Sequence, residues 1–254
     1  MKKALFLLLA VLFLAGCGES ECESAADCSS GECFTDDCVD GECEKEPIPD
    51  CCGNGMAEEG ENACTCPEDV SEECDGEVIV RTTSGGTDIE AEYLEYGCKD
   101  DKCVSVIKGE QREIPLTFDE NFGRFELSFD VRFNEPFNID EDEIIINGKL
   151  RSSSDSFKPP LKLNEIKAVV GDTKYGGKEL DIELHEKGDD FTIELPLDYI
   201  PEYPEVEERI KIKLYYEETY YTNKEKGETK SPPEESLVKT FDKKMYLVNP
   251  GEEK

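Results

Sequence analysis

The sequence predicts a mainly β protein, with an N-terminal disulfide-rich irregular region followed by an antiparallel β-sandwich. Three observations carry this reading. All thirteen cysteines lie at or before Cys103, and the stretch from there to Lys254 has none. Downstream of Glu110, apolar and polar residues alternate with period two, the pattern of a half-buried strand. No stretch repeats its apolar residues convincingly at the spacing of an amphipathic helix.

The first element is MKKALFLLLAVLFLAGC, in which Lys2 and Lys3 precede an uncharged run over residues 4–16. That run is shorter than the ~20 residues that span a bilayer comfortably, and it suits the apolar segment of an export signal. Leu14, Ala15, Gly16 and Cys17 resemble a lipobox, the site at which prokaryotic lipoproteins are acylated on the cysteine and cut before it. The resemblance implies a signal peptide over residues 1–16 and lipidation of Cys17. Two acyl chains on Cys17 would hold the protein to the membrane, on its extracytoplasmic face. The odd cysteine count is then resolved, because twelve cysteines remain to pair.

The second element, residues 17–73, contains Cys22, Cys28, Cys33, Cys38, Cys43, Cys51, Cys52, Cys64 and Cys66 among Gly, Ser, Asp and Glu. Few large apolar residues accompany them, so no conventional core can form and covalent links must hold the chain. The C-x₄-C spacing also falls within the range of zinc ligands. In an oxidising exterior the thiols pair first. Together with Cys74, Cys98 and Cys103 they allow roughly ten thousand pairings, and spacing does not choose among them.

Within this region, CCGNGMAEEGENACTCPEDV resembles a motif of cysteine-rich surface proteins of archaea and some bacteria, approximately CGNGxCExGExCxTCPxDC. The matching residues are Cys52, Gly53, Asn54, Gly55, Glu58, Gly60, Glu61, Thr65, Cys66, Pro67 and Asp69. The chain departs from the pattern at Ala57 and Val70, where the motif has cysteines, and Cys64 stands beside Ala63 where one is expected. Hard oxygen donors near the glycine-rich turn make calcium a candidate ligand, with Glu58, Glu59, Glu61 and Asp69 as the donors and Glu68 beside them. The same residues also read as solvated carboxylates on a stapled turn, and both readings stay open.

The third element, residues 74–109, holds β-prone runs at 78–81, 91–96 and 104–107, separated by Gly-Gly and Asp-Asp turns. We read it as a small hairpin module, closed by Cys98 and Cys103 and packed against the domain that follows. The boundary between the two is expected over residues 104–110, where the cysteines cease.

The fourth element, residues 110–250, is the sandwich. Phe125, Leu127, Phe129, Val131 and Phe133 alternate with Glu126, Ser128, Asp130 and Arg132, which places the apolar set inward. Further runs follow in EIIINGKL, LKLNEIKAVV, ELDIELHEKGDDFTIELPL, RIKIKLYYEETYY and LVKTFDKKMYLV, with Asn147-Gly148, Gly176-Gly177 and Gly188 as turn signals. About eight strands without a helix suggest two packed antiparallel sheets. VRFNEPFNID resembles the opening of immunoglobulin-like modules in prokaryotic surface proteins, through Phe133, Glu135 and Pro136. The resemblance implies an Ig-like β-sandwich serving as a spacer or adhesive module.

Composition limits the function. With 62 Asp plus Glu against 28 Lys plus Arg, the formal net charge is -34. Such a surface repels phosphates and anionic headgroups, which argues against nucleic-acid binding. No catalytic residue is identified: His185 is the single histidine and falls on the polar side of its strand, and no phosphate-binding loop, nucleophile elbow or zinc-protease motif is present. Tyr215, Tyr216, Tyr220 and Tyr221 could form a contact surface for a protein or sugar partner, although adjacent tyrosines on a strand face opposite ways. The expected role is noncatalytic recognition or envelope structure, with a surface protein or glycan as partner and no cofactor unless calcium. Two alternatives stay open, a calcium-dependent binding module and an extracytoplasmic hydrolase using paired carboxylates.

Overall fold

The computed structural model describes residues 22–29, 32–251 and 253–254. The chain divides into two compact units, residues 1–73 and 74–254. The signal peptide expected over residues 1–16 and the expected lipidation site, Cys17, lie outside the described residues.

In the first unit, a 3₁₀ turn at Ala25–Asp27 precedes one hairpin of strands β1 (Phe34–Val39) and β2 (Glu42–Pro47). The hairpin turns through Asp40 and Gly41, with φ of 54° and 85°. Two successive positive φ values make the tight turn whose twist suits paired strands. Cys38 and Cys43 face each other in register, yet each bonds outward, in Cys22–Cys38 and Cys28–Cys43. Cys33–Cys51 and Cys52–Cys66 are further bonds within this unit. Its buried described residues are Cys22, Asn54 and Cys66, so disulfides stand where other domains have aliphatic side chains.

The second unit opens with β3 (Glu77–Thr82), β4 (Asp88–Lys99) and β5 (Lys102–Ile107), a sheet ordered β3-β4-β5. The β4–β5 turn repeats the geometry of the first hairpin, with Asp100 and Asp101 at φ 51° and 62°. Cys98 faces Cys103 in register, but the bond that closes the module is Cys74–Cys103. Facing positions on a hairpin do not dictate pairing, because each thiol can equally turn toward a neighbouring segment. The buried cluster of this sheet, Val78, Ala91 and Leu94, includes Val248 from the chain's last strand. Glu205 also accepts the N–H groups of Glu92 and Tyr93 at 3.0 and 2.9 Å. The module therefore shares its packing with the sandwich, and the compact unit begins at Cys74, ahead of residues 104–110.

The sandwich continues with β6 (Arg112–Asn121), β7 (Phe125–Glu135), β8 (Phe137–Asn138), β9 (Glu143–Ser153), β10 (Phe157–Val170) and β11 (Thr173–Leu184). There follow β12 (Asp190–Pro196), β13 (Glu205–Glu208), β14 (Lys211–Asn223), β15 (Glu228–Lys230), β16 (Glu235–Thr240) and β17 (Met245–Val248). One sheet runs β12-β9-β7-β6, and the other runs β11-β10-β14, with β15 and β16 both paired to β14. A small sheet, β13-β17-β8, contains the parallel pair β17–β8. The loop after β14, polar throughout in sequence, thus carries a short strand of its own.

This connectivity is Ig-like. Taking β7, β9, β10, β12, β14 and β16 as A, B, C, E, F and G, B lies between A and E, and F lies between C and G, as in the Ig fold. The remaining strand, β11, pairs beside C in the second sheet, and β6 adds an extra strand outside A. Alternate residues of β7 point into the core, with Phe125, Leu127, Phe129, Val131 and Phe133 at 5% exposure or less. Ile193 and Leu195 of β12 and Ile212 and Leu214 of β14 join them, with Ile210 just before β14.

Two glycine-containing pairs read as turns, Asn147-Gly148 and Gly176-Gly177, lie inside strands. Asn147 and Gly148 sit mid-β9, where Gly148 is flanked in register by Phe129 on β7 and Phe191 on β12. A Cβ on Gly148 would lie 2.0 Å from the Phe191 ring, so the glycine is the floor on which an aromatic ring rests. Gly176 and Gly177 lie in β11, and a Cβ on Gly176 would meet the Pro196 carbonyl at 2.3 Å. The actual β10–β11 turn is at Gly171, with φ 57°. Gly148→Val should destabilise the second unit by ~1–3 kcal/mol through overpacking. Adding Phe191→Leu should restore part of that loss, which denaturant midpoints of the single and double variants would show.

Candidate functional site

Polar and titratable side chains gather at three places: the acidic motif turn, the tyrosine end of β14, and the outer face of the first sheet.

The motif turn is held by its own carboxylates. Asp69 accepts the N–H groups of Gly53, Asn54 and Gly55 at 2.7, 3.2 and 2.7 Å. Desolvation works against its charge, and these three N–H groups together outweigh it, so its pKa falls below the ordinary value. Glu58 accepts from the Asp50 N–H and the Asn54 amide, and Glu61 accepts the Glu58 N–H at 2.9 Å. Buried Asn54 donates to the Ile48 carbonyl and accepts the Met56 N–H. Gly53, Gly55 and Gly60 have φ of 99°, 80° and 97°, which explains three glycines at these positions. Of the calcium candidates, Asp69 lies in a compact group of metal-capable side chains, but its companions Cys52 and Cys66 are bonded to each other. Asp69 uses both carboxylate oxygens on backbone donors, Glu58 and Glu61 use one oxygen each, and Glu59 is exposed.

Asp69→Asn should loosen this turn. In the wild type the depressed pKa adds stability that is complete above the unfolded value and is lost as pH falls through the folded one. Exchange protection of residues 50–70 should therefore fall on acidification, and the substitution should abolish that pH dependence. A variant whose protection is restored by calcium would instead assign the turn to an ion.

The four tyrosines divide between faces. Tyr216 is 5% exposed, packs edge-on against Phe122 and Phe125, and donates its hydroxyl to Glu235 at 2.9 Å. Burial, reinforced by that bond, raises its pKa. It belongs to the core and offers no contact surface. Tyr220 lies on the same face under the Arg124 guanidinium, 4.1 Å from the ring centroid. Arg124, from the β6–β7 turn, grips Glu218 of β14 through Nε and Nη2, with the glutamate side chain 2% exposed. An ion pair thus ties one sheet to the other at this end of the sandwich. Tyr215 stands on the opposite face, with the Lys167 ammonium 4.7 Å from its ring, and Tyr221 is half-buried.

The outer face of the first sheet has a depression of about 480 Å³. Short solvent-facing residues at mid-sheet line it, Thr117 and Asp119, Ser128 and Asp130, Asn147, Asp190 and Thr192, with the longer Lys149 among them. Thr192 donates to the Asn147 side-chain oxygen at 2.8 Å. The lining offers hydroxyls, an amide, an ammonium and carboxylates, a set that suits a polar ligand bound by hydrogen bonds. These residues are four polar pairs scattered over 76 positions of sequence, from 117 to 192, and only strand pairing collects them. His185 lies outside all three places, exposed past the end of β11, with Nε2 3.6 Å from Glu183.

No protein-family model matches the chain, and no curated protein matches it.

Proposed function

We propose that the chain is a lipid-anchored extracytoplasmic surface protein with a noncatalytic recognition or envelope-structural role. The observation that supports this most is the state of the cysteines. All twelve from Cys22 to Cys103 are disulfide-bonded, the condition of a protein matured in an oxidising compartment. By count, Cys17 is the thirteenth, and it stands at the lipobox. A stapled N-terminal unit then links the membrane to an Ig-like sandwich, whose open polar sheet face suits a surface protein or glycan.

Replacing Cys17 with Ser should move the protein from the membrane fraction to the soluble exterior without changing its melting behaviour. A variant that still sediments with membranes and resists salt extraction would overturn the anchor. For recognition, Asn147→Ala with Lys149→Ala on the depression should abolish capture of the partner from envelope extract. Unaltered capture would place recognition elsewhere.

A further inference from the structure

The outer face of the second sheet carries a row of like charges. Gly177, Lys167, Lys213 and Val238 stand side by side on β11, β10, β14 and β16. Lys167 is directly opposite Lys213, a juxtaposition that weakens a sheet. Lys174 joins the row across Gly177, because its Cε and Nζ occupy the space a Cβ would fill there, 2.6 and 2.9 Å from that point. Lys211 stands two residues before Lys213 on β14. Among the described residues Lys174, Lys211 and Lys213 make no ion pair, although carboxylates outnumber cations two to one in the chain. Lys167 alone is neutralised, by Glu165 at 2.6 Å. Val238 is 49% exposed, and half-buried Tyr215 extends the apolar part of the patch. Lys174, Lys211 and Lys213, which lack an ion pair, gain one when an acidic surface covers them, and apolar side chains among the charges suit a polypeptide better than a phosphate polymer.

The chain itself supplies such a surface. Between residues 18 and 73, Lys45 is the only basic residue among many carboxylates. Strand β2 exposes Glu42, Glu44 and Glu46, two residues apart along one face. Their spacing of ~6.8 Å is the pitch at which Lys211 and Lys213 repeat along β14. We propose that the lysine row is a docking surface for the β1–β2 hairpin of a second copy of this chain, giving head-to-tail association. A contact of this type uses different patches on the two partners, so it can propagate into an array.

Sedimentation of the full mature chain, made lipid-free by Cys17→Ser, tests this at low and raised ionic strength. Wild-type surface should associate with rising concentration at low salt and dissociate as salt screens the charges. Lys211→Glu with Lys213→Glu, and separately Glu42→Lys with Glu44→Lys, should each weaken association at least about tenfold, equivalent to ~1.4 kcal/mol. Mixing the two charge-reversed proteins should restore it. Glu42 and Glu44 are exposed and Lys211 and Lys213 half-buried, and unchanged melting of each variant would show that folding is intact. A chain that stays monomeric at low salt, association that survives the lysine reversal, or a mixture that stays monomeric would each overturn the proposal.

Discussion

Reduction of the full chain should unfold residues 22–73 while leaving the sandwich folded. The four bonds within the first unit span 14 to 18 residues each. By the chain-entropy model such loops contribute ~3 kcal/mol apiece, in sum as much as a small domain's whole stability. Little else would remain, since β1 and β2 form one exposed hairpin and the unit buries hardly any apolar side chain. In the second unit, Cys74–Cys103 closes a separation of 29 residues, and losing it should cost ~3.5 kcal/mol. No cysteine occurs between β6 and β17, where fully buried Phe137, Leu150, Leu161 and Leu195 carry the stability through apolar burial of ~25 cal/mol per Å². Hydrogen exchange under reductant should show residues 22–73 at the rates of an unstructured chain and residues 112–248 still protected. Protection lost equally from both units would mean that the disulfides hold the sandwich as well.

Arg124→Met should be among the most damaging single substitutions in the second unit, at ~3–5 kcal/mol. It leaves the Glu218 carboxylate without its cation at a position where the side chain is 2% exposed. The surface pairs Lys102–Glu253 and Lys99–Glu141, each more than half exposed, should change stability by ~1 kcal/mol or less when broken. Replacing both Arg124 and Glu218 with Met and Leu should recover most of the loss, because an apolar pair needs no solvation. Denaturant midpoints of the single, reverse single and double variants close the cycle. A single variant that loses under 1 kcal/mol would show that water reaches Glu218.

What the sequence showed and what it hid follow from the range of the interactions. The Phe125 to Phe133 alternation predicts the inward face of β7 because strand periodicity is local. The glycines were misleading for the same reason. Asn147-Gly148 is a strong local turn signal, and it yields to the Phe191 ring, a partner 43 residues away, which needs the space above a missing Cβ. At the motif turn, the resemblance and the density of oxygen donors singled out Glu58, Glu59, Glu61 and Asp69, but whether a carboxylate points at an ion or at an N–H depends on backbone path.

By itself, then, the sequence determined the class of the protein. Thirteen cysteines confined to residues 17–103 and alternation beyond Glu110 require a stapled region and a β-sandwich, since composition decides how a chain can bury or bridge itself. The tertiary structure decided the partners. Cys38 and Cys43, and again Cys98 and Cys103, face each other without bonding, and Arg124 finds Glu218 across 94 positions. It also aligned Lys167 with Lys213, residues 46 positions apart whose meeting no local pattern encodes. Pairing between distant residues depends on strand order and register, which the whole core sets.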